Sequence, residues 1–239
     1  GLTISREQRD YAVERMRRAG LSDRVEIKLQ DYRDERGTYD GIASIEMFEA
    51  VGQKYWPVYF NKVKEMLKPG KSATLQIITV AEHRWDAYKS DVDFIQKYIF
   101  PGGMLPSPVV LRQEIEKAGL TVARSIEFGE SYSQTLRRWH DTFNDKWDQV
   151  AGLGFDDRFR RMWNFYLTSC AATFSSLALL QRNRRHEPLR LQGQHRAVHI
   201  AEHLLSGVTD EKPGQPGAAY RAHDQKINLV LSDLLDNGL

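Results

Sequence analysis

The sequence lacks most of the features that assign a chain quickly to a class. It has one cysteine in 239 residues, which excludes an intramolecular disulfide and is typical of a reducing compartment. No apolar run approaches the ~20 residues that span a bilayer, and we expect no signal peptide. The 34 basic and 32 acidic residues nearly cancel, so the net charge does not favour nucleic acid as a partner. The sequence contains neither a P-loop nor an intact Gly-x-Gly-x-x-Gly motif.

What is present is a regular alternation of strand and helix patterns. Ser5 with Gln8 three residues later forms a capping box, which predicts a helix to about residue 19. Apolar residues in "RVEIKLQDY" alternate with polar ones, as in a half-buried strand. Residues 1–4 match the end of a first strand. The pattern predicts further strands near 25–29, 40–46, 72–80 and 120–128, and further helices near 54–67, 108–118, 133–150 and 156–175. This spacing indicates an α/β fold with a parallel sheet and helices on both faces.

Two regions break the alternation. Residues 83–107 include "DFIQKYIFPGGMLPS", which is aromatic and turn-rich and is interpreted as an insertion that covers a pocket. After about residue 174 the composition becomes basic and then Pro/Gly-rich, which predicts a domain at 1–174 and a divergent, poorly ordered tail at 175–239. The last residues, 226–239, match a short amphipathic helix. His195, His199 and His203 would share one helical face, but solvated histidines explain them better than zinc, and we expect no metal.

Polar residues follow three of the predicted parallel strands, at the edge where such sheets bind ligands. A nucleoside-containing ligand would lie across this edge. Taken singly, each residue has a structural explanation, such as a turn for Asp31 and a helix cap for Gln8. The residues are Thr3, Ile4 and Gln8 after the first strand, Asp31 and Tyr32 after the second, and Glu46 and Glu49 after the third.

The stretch "SIEMFEAVG" sets Glu46 and Glu49 directly after a buried strand. Two carboxylates there fit an acid/base pair, a metal site or solvated residues at a helix start. Because Glu49 lies between Phe48 and Val51, we favour a buried, hydrogen-bonded carboxylate. Cys170 lies in an apolar helix pattern and is interpreted as an inert packing residue.

Three stretches resemble a known family: "SIEMFEAVGQKYWPVYFNKVKEMLKPG", "DFIQKYIFPGGMLPS" and "FRRMWNFYLTSCAATF". From Gly1 to about Phe174 the sequence resembles the cyclopropane-fatty-acyl-phospholipid synthases, class I S-adenosylmethionine-dependent methyltransferases that include the mycolic acid cyclopropane synthases. The resemblance implies a Rossmann-like, doubly wound, mostly parallel sheet with a helical insertion that forms a lipid pocket. The sheet is expected to be incomplete, since the chain begins after the family's first strand and glycine-rich loop. We therefore expect weak binding of S-adenosylmethionine.

The resemblance also implies roles for individual residues. Thr3, Ile4 and Gln8 would contact the ribose and methionine parts of S-adenosylmethionine, and Tyr32 and Ile45 would flank its adenine, with Asp31 in the same turn. Glu49, the Tyr132 hydroxyl and the Ile78 backbone would hold a bicarbonate ion that serves as general base. Gln76 stands where many members have a histidine that contacts bicarbonate. Cys170 matches a cysteine considered catalytic in the family.

The implied reaction adds a methylene across a cis double bond of a phospholipid acyl chain. The double bond attacks the sulfonium methyl, and the carbocation that results must be kept from water. Phe94, Tyr98, Ile99 and Phe100 are the expected pocket walls. Two alternatives stay open: methylation of a small soluble acceptor, and a non-catalytic remnant that binds lipid or a partner.

A lipid substrate implies peripheral contact with the inner membrane surface from the cytoplasmic side, and homodimer formation is left open. The predicted helices at 133–150 and 156–175 offer cations and tryptophans for such a contact. The alternative is a solvated face with its tryptophans in the core. The residues are Arg137, Arg138, Lys146, Arg158, Arg160 and Arg161, with Trp139, Trp147 and Trp163.

Overall fold

The computed structural model describes residues 1–182 and 197–205. The chain opens with strand β1 (Leu2–Thr3) and helix α1 (Arg6–Arg18), followed by strand β2 (Lys28–Leu29). The Ser5 hydroxyl caps α1 by accepting a hydrogen bond from the Gln8 amide at 3.2 Å, as the capping box predicts. Strands β1 and β2 pair in parallel and form a sheet of their own.

A second sheet has four strands in the order β3-β4-β6-β5, and all of its pairs are parallel. Its strands are β3 (Tyr39–Ile45), β4 (Leu67–Val80), β5 (Thr121–Glu127) and β6 (Ala197–Leu205). Helices α2 (Phe48–Val51), α3 (Trp56–Met66) and α5 (Pro108–Lys117) connect and cover these strands. The predicted parallel α/β fold is confirmed.

Two buried clusters organise the interior. The sheet cluster lies between β4 and helices α3 and α5, and its fully buried members include Phe48, Phe60, Leu75, Ile77 and Leu111. The aromatic cluster packs the insertion onto the last helices, with Leu136, Phe143, Leu167 and Phe174 at its centre.

The insertion lies between β4 and α5, and its first helix contributes Trp85 to the sheet cluster. The insertion consists of helix α4 (Trp85–Ser90), a π-helical turn at Ile95–Ile99 and a loop that leads to Ser107, the N-cap of α5. Helices α6 (Gly129–Asp145), α7 (Trp147–Ala151) and α8 (Asp157–Arg182) complete the aromatic cluster. The helix predicted at 133–150 is thus two helices, which separate at Lys146.

Three expectations about strands and helices need correction. The strand predicted over 25–29 is reduced to two residues and lies outside the four-stranded sheet, because its hydrogen-bonded neighbour is β1 rather than β3. The helix predicted to end near 175 continues to Arg182. Strand β6 lies within the region predicted to be a poorly ordered tail, where sequence analysis placed no strand.

The location of β6 also bears on the histidines. His199 and His203 lie in this strand, so the helical face proposed for zinc does not exist there, and His195 is outside the described residues. The amphipathic helix expected at 226–239 also falls outside them. The division into 1–174 and 175–239 stays a prediction. In the described part of the chain, no helix is long and apolar enough to cross a bilayer.

Candidate active site

A cavity of ≈2340 Å³ lies at the carboxyl ends of β1, β2 and β3, under the insertion and helices α6 and α8. Ordinary ligand pockets measure about 300–1,000 Å³, so this one has room for two ligands side by side. Glu49 and Tyr132 both line it, although they lie far apart in sequence, and their roles at one small anion site stay a prediction. Nearly all predicted site residues line it: Thr3, Ile4, Gln8, Asp31, Tyr32, Ile45, Glu49, Ile78, Tyr132 and Cys170.

The end of the cavity near β1 combines polar and apolar groups. The Thr3 hydroxyl donates to Gln8 Oε1 at 2.7 Å and accepts from the Ser5 amide at 3.1 Å, so the turn after β1 is held in one conformation. Ile4 and Ile45 leave 73% and 58% of their surface exposed, which is unusual for isoleucine. Hydroxyl, amide and open apolar surface together match a ligand with a sugar and an aromatic base.

Asp31 and Tyr32 form the other wall of this end. Asp31 is bound by the Arg33 guanidinium, with a 2.6 Å contact between Arg33 Nη2 and Asp31 Oδ2, and this hydrogen bonding lowers the pKa of the Asp31 carboxyl. Tyr32 packs edge-to-face on Tyr59, with ring centroids 5.8 Å apart. Asp31 therefore stays ionised and keeps Arg33 beside the cavity. These residues fit S-adenosylmethionine, and their individual roles stay predictions.

Glu49 is the most unusual carboxyl of the cavity. It is the second residue of the short helix α2, and its Oε1 accepts a hydrogen bond from the Ile78 amide at 2.5 Å. Its Oε2 is buried and has no hydrogen-bond partner in the described part of the chain. Burial raises the pKa of Glu49 to about 7, against the lowering effect of the bond from Ile78. Near neutral pH the group therefore exists in both protonation states.

Glu46 lies three residues before Glu49. Sequence analysis considered the two as an acid/base pair, a metal site or solvated residues, and the resemblance assigned no role to Glu46. Its φ is 49°, the one positive value of a non-glycine residue in the described part of the chain. Its Oε1 accepts hydrogen bonds from the Tyr132 hydroxyl and, at 2.8 Å, from Gln76 Nε2. Burial, followed by the charge of Glu46, raises the pKa of Tyr132, so this hydroxyl remains a donor. Gln76 does not line the cavity and reaches it through Glu46.

The donors expected for bicarbonate are therefore already in use. Tyr132 and Gln76 donate to Glu46, and the Ile78 amide donates to Glu49. A bicarbonate ion added between these groups would lie against the Glu46 carboxylate, and like charges at close range repel. Glu49 Oε2 has no hydrogen-bond partner in the described part of the chain, but it can donate to an anion only while Glu49 is protonated. The residues present do not fit a bicarbonate in this arrangement.

Cys170 lines the cavity but is 5% exposed and packs in the aromatic cluster. Burial raises the pKa of its thiol to about 12, so it is protonated at neutral pH and is a poor nucleophile. This agrees with its interpretation as a packing residue. Its match to a cysteine considered catalytic has no support in the geometry.

The far end of the cavity is aromatic. Phe94 and Phe165 pack edge-to-face, with centroids 4.9 Å apart, and Phe100 faces Tyr166 at 6.1 Å. Phe94, Ile99 and Phe100 line the cavity as expected, whereas Tyr98 packs against Phe94 and does not. Sequence analysis did not assign Phe165 or Tyr166 to the wall. The run "WNFY" in α8 was the available signal, because its aromatic residues cannot all face one side of a helix.

The tryptophans proposed for membrane contact are mostly in the interior. Trp163 is 8% exposed, and Trp139 and Trp147 are half-buried against the aromatic cluster. The Arg160 guanidinium stacks on the Trp147 ring at 5.0 Å and donates to Asn144. These tryptophans serve the core, and Arg160 is engaged by neighbouring side chains. No group of acidic, histidine or cysteine side chains in the described ranges is arranged to hold a metal ion.

Comparison with protein families matches residues 1–181 to the family described as mycolic acid cyclopropane synthetase. Tuberculostearic acid methyltransferase of Mycobacterium tuberculosis is 42% identical over 176 residues, which is 73% of this chain and 41% of that protein. Cyclopropane-fatty-acyl-phospholipid synthase of Escherichia coli is 39% identical over 175 residues, 73% of this chain and 43% of that protein. The chain thus spans about two fifths of the length of these curated relatives.

Solved structures agree with the fold. The cyclopropane synthase MmaA2 from Mycobacterium tuberculosis superposes with a TM-score of 0.62 at 21% identity, covering 73% of this chain and 64% of that one. The mycolic acid cyclopropane synthase CmaA1, solved in complex with SAH and CTAB, gives a TM-score of 0.60 at 23% identity, with the same two coverages.

Proposed function

Since the chain belongs to the mycolic acid cyclopropane synthetase family, we propose that it forms the catalytic region of an S-adenosylmethionine-dependent methyltransferase acting on unsaturated lipid acyl chains. The finer proposal is methylene addition across a cis double bond of a phospholipid, which gives a cyclopropane. A relative that is 42% identical is named for tuberculostearic acid, so a branched product is the second candidate.

One observation carries the proposal: a single cavity joins a polar end to an aromatic end, with two carboxylates between them. Thr3, Gln8 and Asp31 provide the polar end, where a nucleoside and an amino acid would be recognised. Phe94, Phe100 and Phe165 give the aromatic end an apolar wall, which suits an acyl chain better than a small polar acceptor. Glu46 and Glu49 lie where the two ligands would meet.

S-adenosylmethionine, when bound, supplies a methyl group made electrophilic by its sulfonium. The chain's own residues then have three tasks. Thr3, Gln8 and the turn at Asp31 orient the cofactor, and the rings of Phe94 and Phe165 exclude water from the cationic product of methyl transfer. Because a cation forms in a low-dielectric cavity, a nearby carboxylate stabilises it far more than it would in water.

The experiment is a turnover assay on defined lipids. The full chain is incubated with S-adenosylmethionine labelled in its methyl group and with vesicles of dioleoyl or of fully saturated phospholipid, and the acyl chains are analysed by mass spectrometry. We expect label only in the unsaturated lipid. Resistance of the product to ozonolysis distinguishes a cyclopropane from a methylene group. Label in water-soluble acceptors of a cell extract, with none in lipid, would contradict the proposal.

Peripheral membrane contact is part of the same proposal. Arg137, Arg138 and Arg158 lie on α6 and α8, and each cation near an anionic surface contributes about 1 kcal/mol. Co-sedimentation with vesicles should rise with anionic lipid content and fall with salt. Reversal of all three arginines to glutamate should abolish binding, while the same change at Arg17 and Arg18 on α1 should not. Equal binding to neutral vesicles would contradict an electrostatic contact.

A further inference from the structure

Glu46 combines two features that its sequence context does not explain. Its positive φ is a strained backbone conformation for a non-glycine residue, and glycine would relieve that strain. Yet the position carries a long, charged side chain that projects into the cavity. Strain kept at a cavity-lining residue points to a use for its side chain.

The hydrogen bonds of Glu46 show what that use is. Its carboxylate accepts from Tyr132 and Gln76, two of the groups expected to hold a bicarbonate. A carboxylate and a bicarbonate present the same planar, negatively charged O–C–O group to donors. The chain therefore places its own carboxylate where the resemblance implies an external anion.

Resting on the proposed function, we propose that Glu46 is the general base of the reaction and that this chain needs no bicarbonate. The donors from Tyr132 and Gln76 fix the carboxylate at the junction of the polar and aromatic ends of the cavity. Glu49 binds the Ile78 amide beside it and closes the remaining donor position. Together the two glutamates bind the three donors that the resemblance assigns to the anion.

The step balances without a further reactant. The π-electron pair of the acyl double bond forms the bond to the methyl carbon, and the C–S bond breaks to leave a neutral thioether. One C–H bond of the new methyl group then breaks, and its electron pair closes the ring or forms a double bond. The proton passes to a Glu46 oxygen, and the resulting carboxylic acid returns it to water between turnovers.

A structural role for Glu46 is the competing explanation, because its bond to Tyr132 ties α6 to the end of β3 across 86 positions. Glu46→Gln separates the two roles. Its amide oxygen still accepts hydrogen bonds from Tyr132 and Gln76, so the connection between α6 and the end of β3 is kept. An amide does not accept a proton at neutral pH, so the general base is lost. Glu46→Gly removes the side chain and suits the positive φ, so it is expected to fold.

The test is turnover on dioleoyl phospholipid in carbon-dioxide-free buffer, with and without added bicarbonate or formate. Wild type should change less than about twofold on bicarbonate depletion. Glu46→Gln should lose about 100-fold or more, the usual range for a general base, with unchanged calorimetric binding of S-adenosylmethionine. Glu46→Gly should lose as much and recover at least tenfold with formate or bicarbonate. Glu116→Gln on the exposed face of α5 is the matched control.

A readout besides turnover keeps this inference separate from the proposed function. Line broadening of ¹³C-bicarbonate in NMR should be absent with wild type and present with Glu46→Gly. If no lipid is turned over by any variant, the proposed function fails, and the NMR comparison still decides whether the anion site is filled by Glu46. Loss of wild-type turnover without bicarbonate, full turnover by Glu46→Gln, or bicarbonate binding by wild type would each overturn the proposal.

Discussion

The two buried clusters are built from similar residues but differ in what they contain besides apolar atoms. In the sheet cluster, Phe48 contacts the rings of Trp56, Tyr59 and Phe60 at centroid distances between 5.1 and 5.2 Å, and the Tyr59 hydroxyl is satisfied by Ser44. The aromatic cluster borders the cavity along one side and holds Tyr132, Tyr166 and Cys170.

Burial raises the pKa of tyrosine hydroxyls in both clusters, that of Tyr59 in the sheet cluster and those of Tyr132 and Tyr166 in the aromatic cluster. It also raises the pKa of the Cys170 thiol, so all four groups stay protonated and uncharged. The carboxylates come instead from the end of β3, at the boundary between the clusters. The sheet cluster thus stabilises the scaffold, while the aromatic cluster forms a wall of the cavity beside Glu46 and Glu49.

The largest expected effect tests the sheet cluster. Phe48→Ala removes a fully buried ring with three aromatic neighbours and should lower the free energy of unfolding by about 3–5 kcal/mol. Urea denaturation followed by tryptophan fluorescence measures it. The control is Val58→Ala on the exposed side of α3, where the loss should stay below about 1 kcal/mol. Equal losses of unfolding free energy in the two variants would show that Phe48 contributes no more to stability than an exposed residue.

The next effect tests the boundary between the clusters. The pKa of Glu49 is raised from 4.5 to about 7 by burial, so the folded state binds more protons between these values. Its contribution to stability is present below about pH 4.5 and is lost as pH rises through 7. Since one pKa unit is worth about 1.36 kcal/mol, the full loss is about 3 kcal/mol.

Glu49→Gln should remove this pH dependence. The variant should match wild type near pH 4.5 and exceed its unfolding free energy by up to about 3 kcal/mol at pH 8. Urea denaturation from pH 4.5 to 8 measures the difference, with the exposed Glu116→Gln as control. Parallel pH profiles for wild type and Glu49→Gln would mean that the carboxyl is hydrated.

A smaller effect tests the cavity wall of the aromatic cluster. Phe165 is 41% exposed and contacts Phe94 edge-to-face. Phe165→Ala should weaken oleate binding about tenfold, since an aromatic contact contributes about 1 kcal/mol beyond its area. The unfolding free energy should change by less than about 1 kcal/mol. Calorimetry and urea denaturation measure the two quantities, and a large loss of stability with intact oleate binding would assign Phe165 to the core.

The smallest effect concerns Cys170. Because burial raises its pKa to about 12, the thiol should react slowly with iodoacetamide at pH 8 in the folded protein. Cys170→Ala should retain turnover within about twofold and lose roughly 1 kcal/mol of stability from a small cavity. Mass spectrometry of the alkylated protein checks the first expectation. Fast alkylation, or loss of turnover in the variant, would make the thiol chemically active.

Local sequence signals located most of the scaffold. The capping pattern at Ser5 and the spacing of the strand and helix patterns depend on nearby residues, so they could be interpreted without knowing the fold. The aromatic insertion and the glutamate pair were also evident, and they carried the family resemblance. The break between α6 and α7 was not evident from the sequence, because residues on both sides of Lys146 favour helix.

The sequence by itself determined the parallel α/β class, the cavity-lining stretches and the burial of Glu49, because periodicity and local polarity depend on neighbouring residues. Only the tertiary structure decided that β1 and β2 form a separate sheet, that β6 lies between β4 and β5, and that Glu46 binds Tyr132 and Gln76. Strand order and hydrogen bonds between distant residues depend on how packed elements meet in space, and no local pattern encodes that.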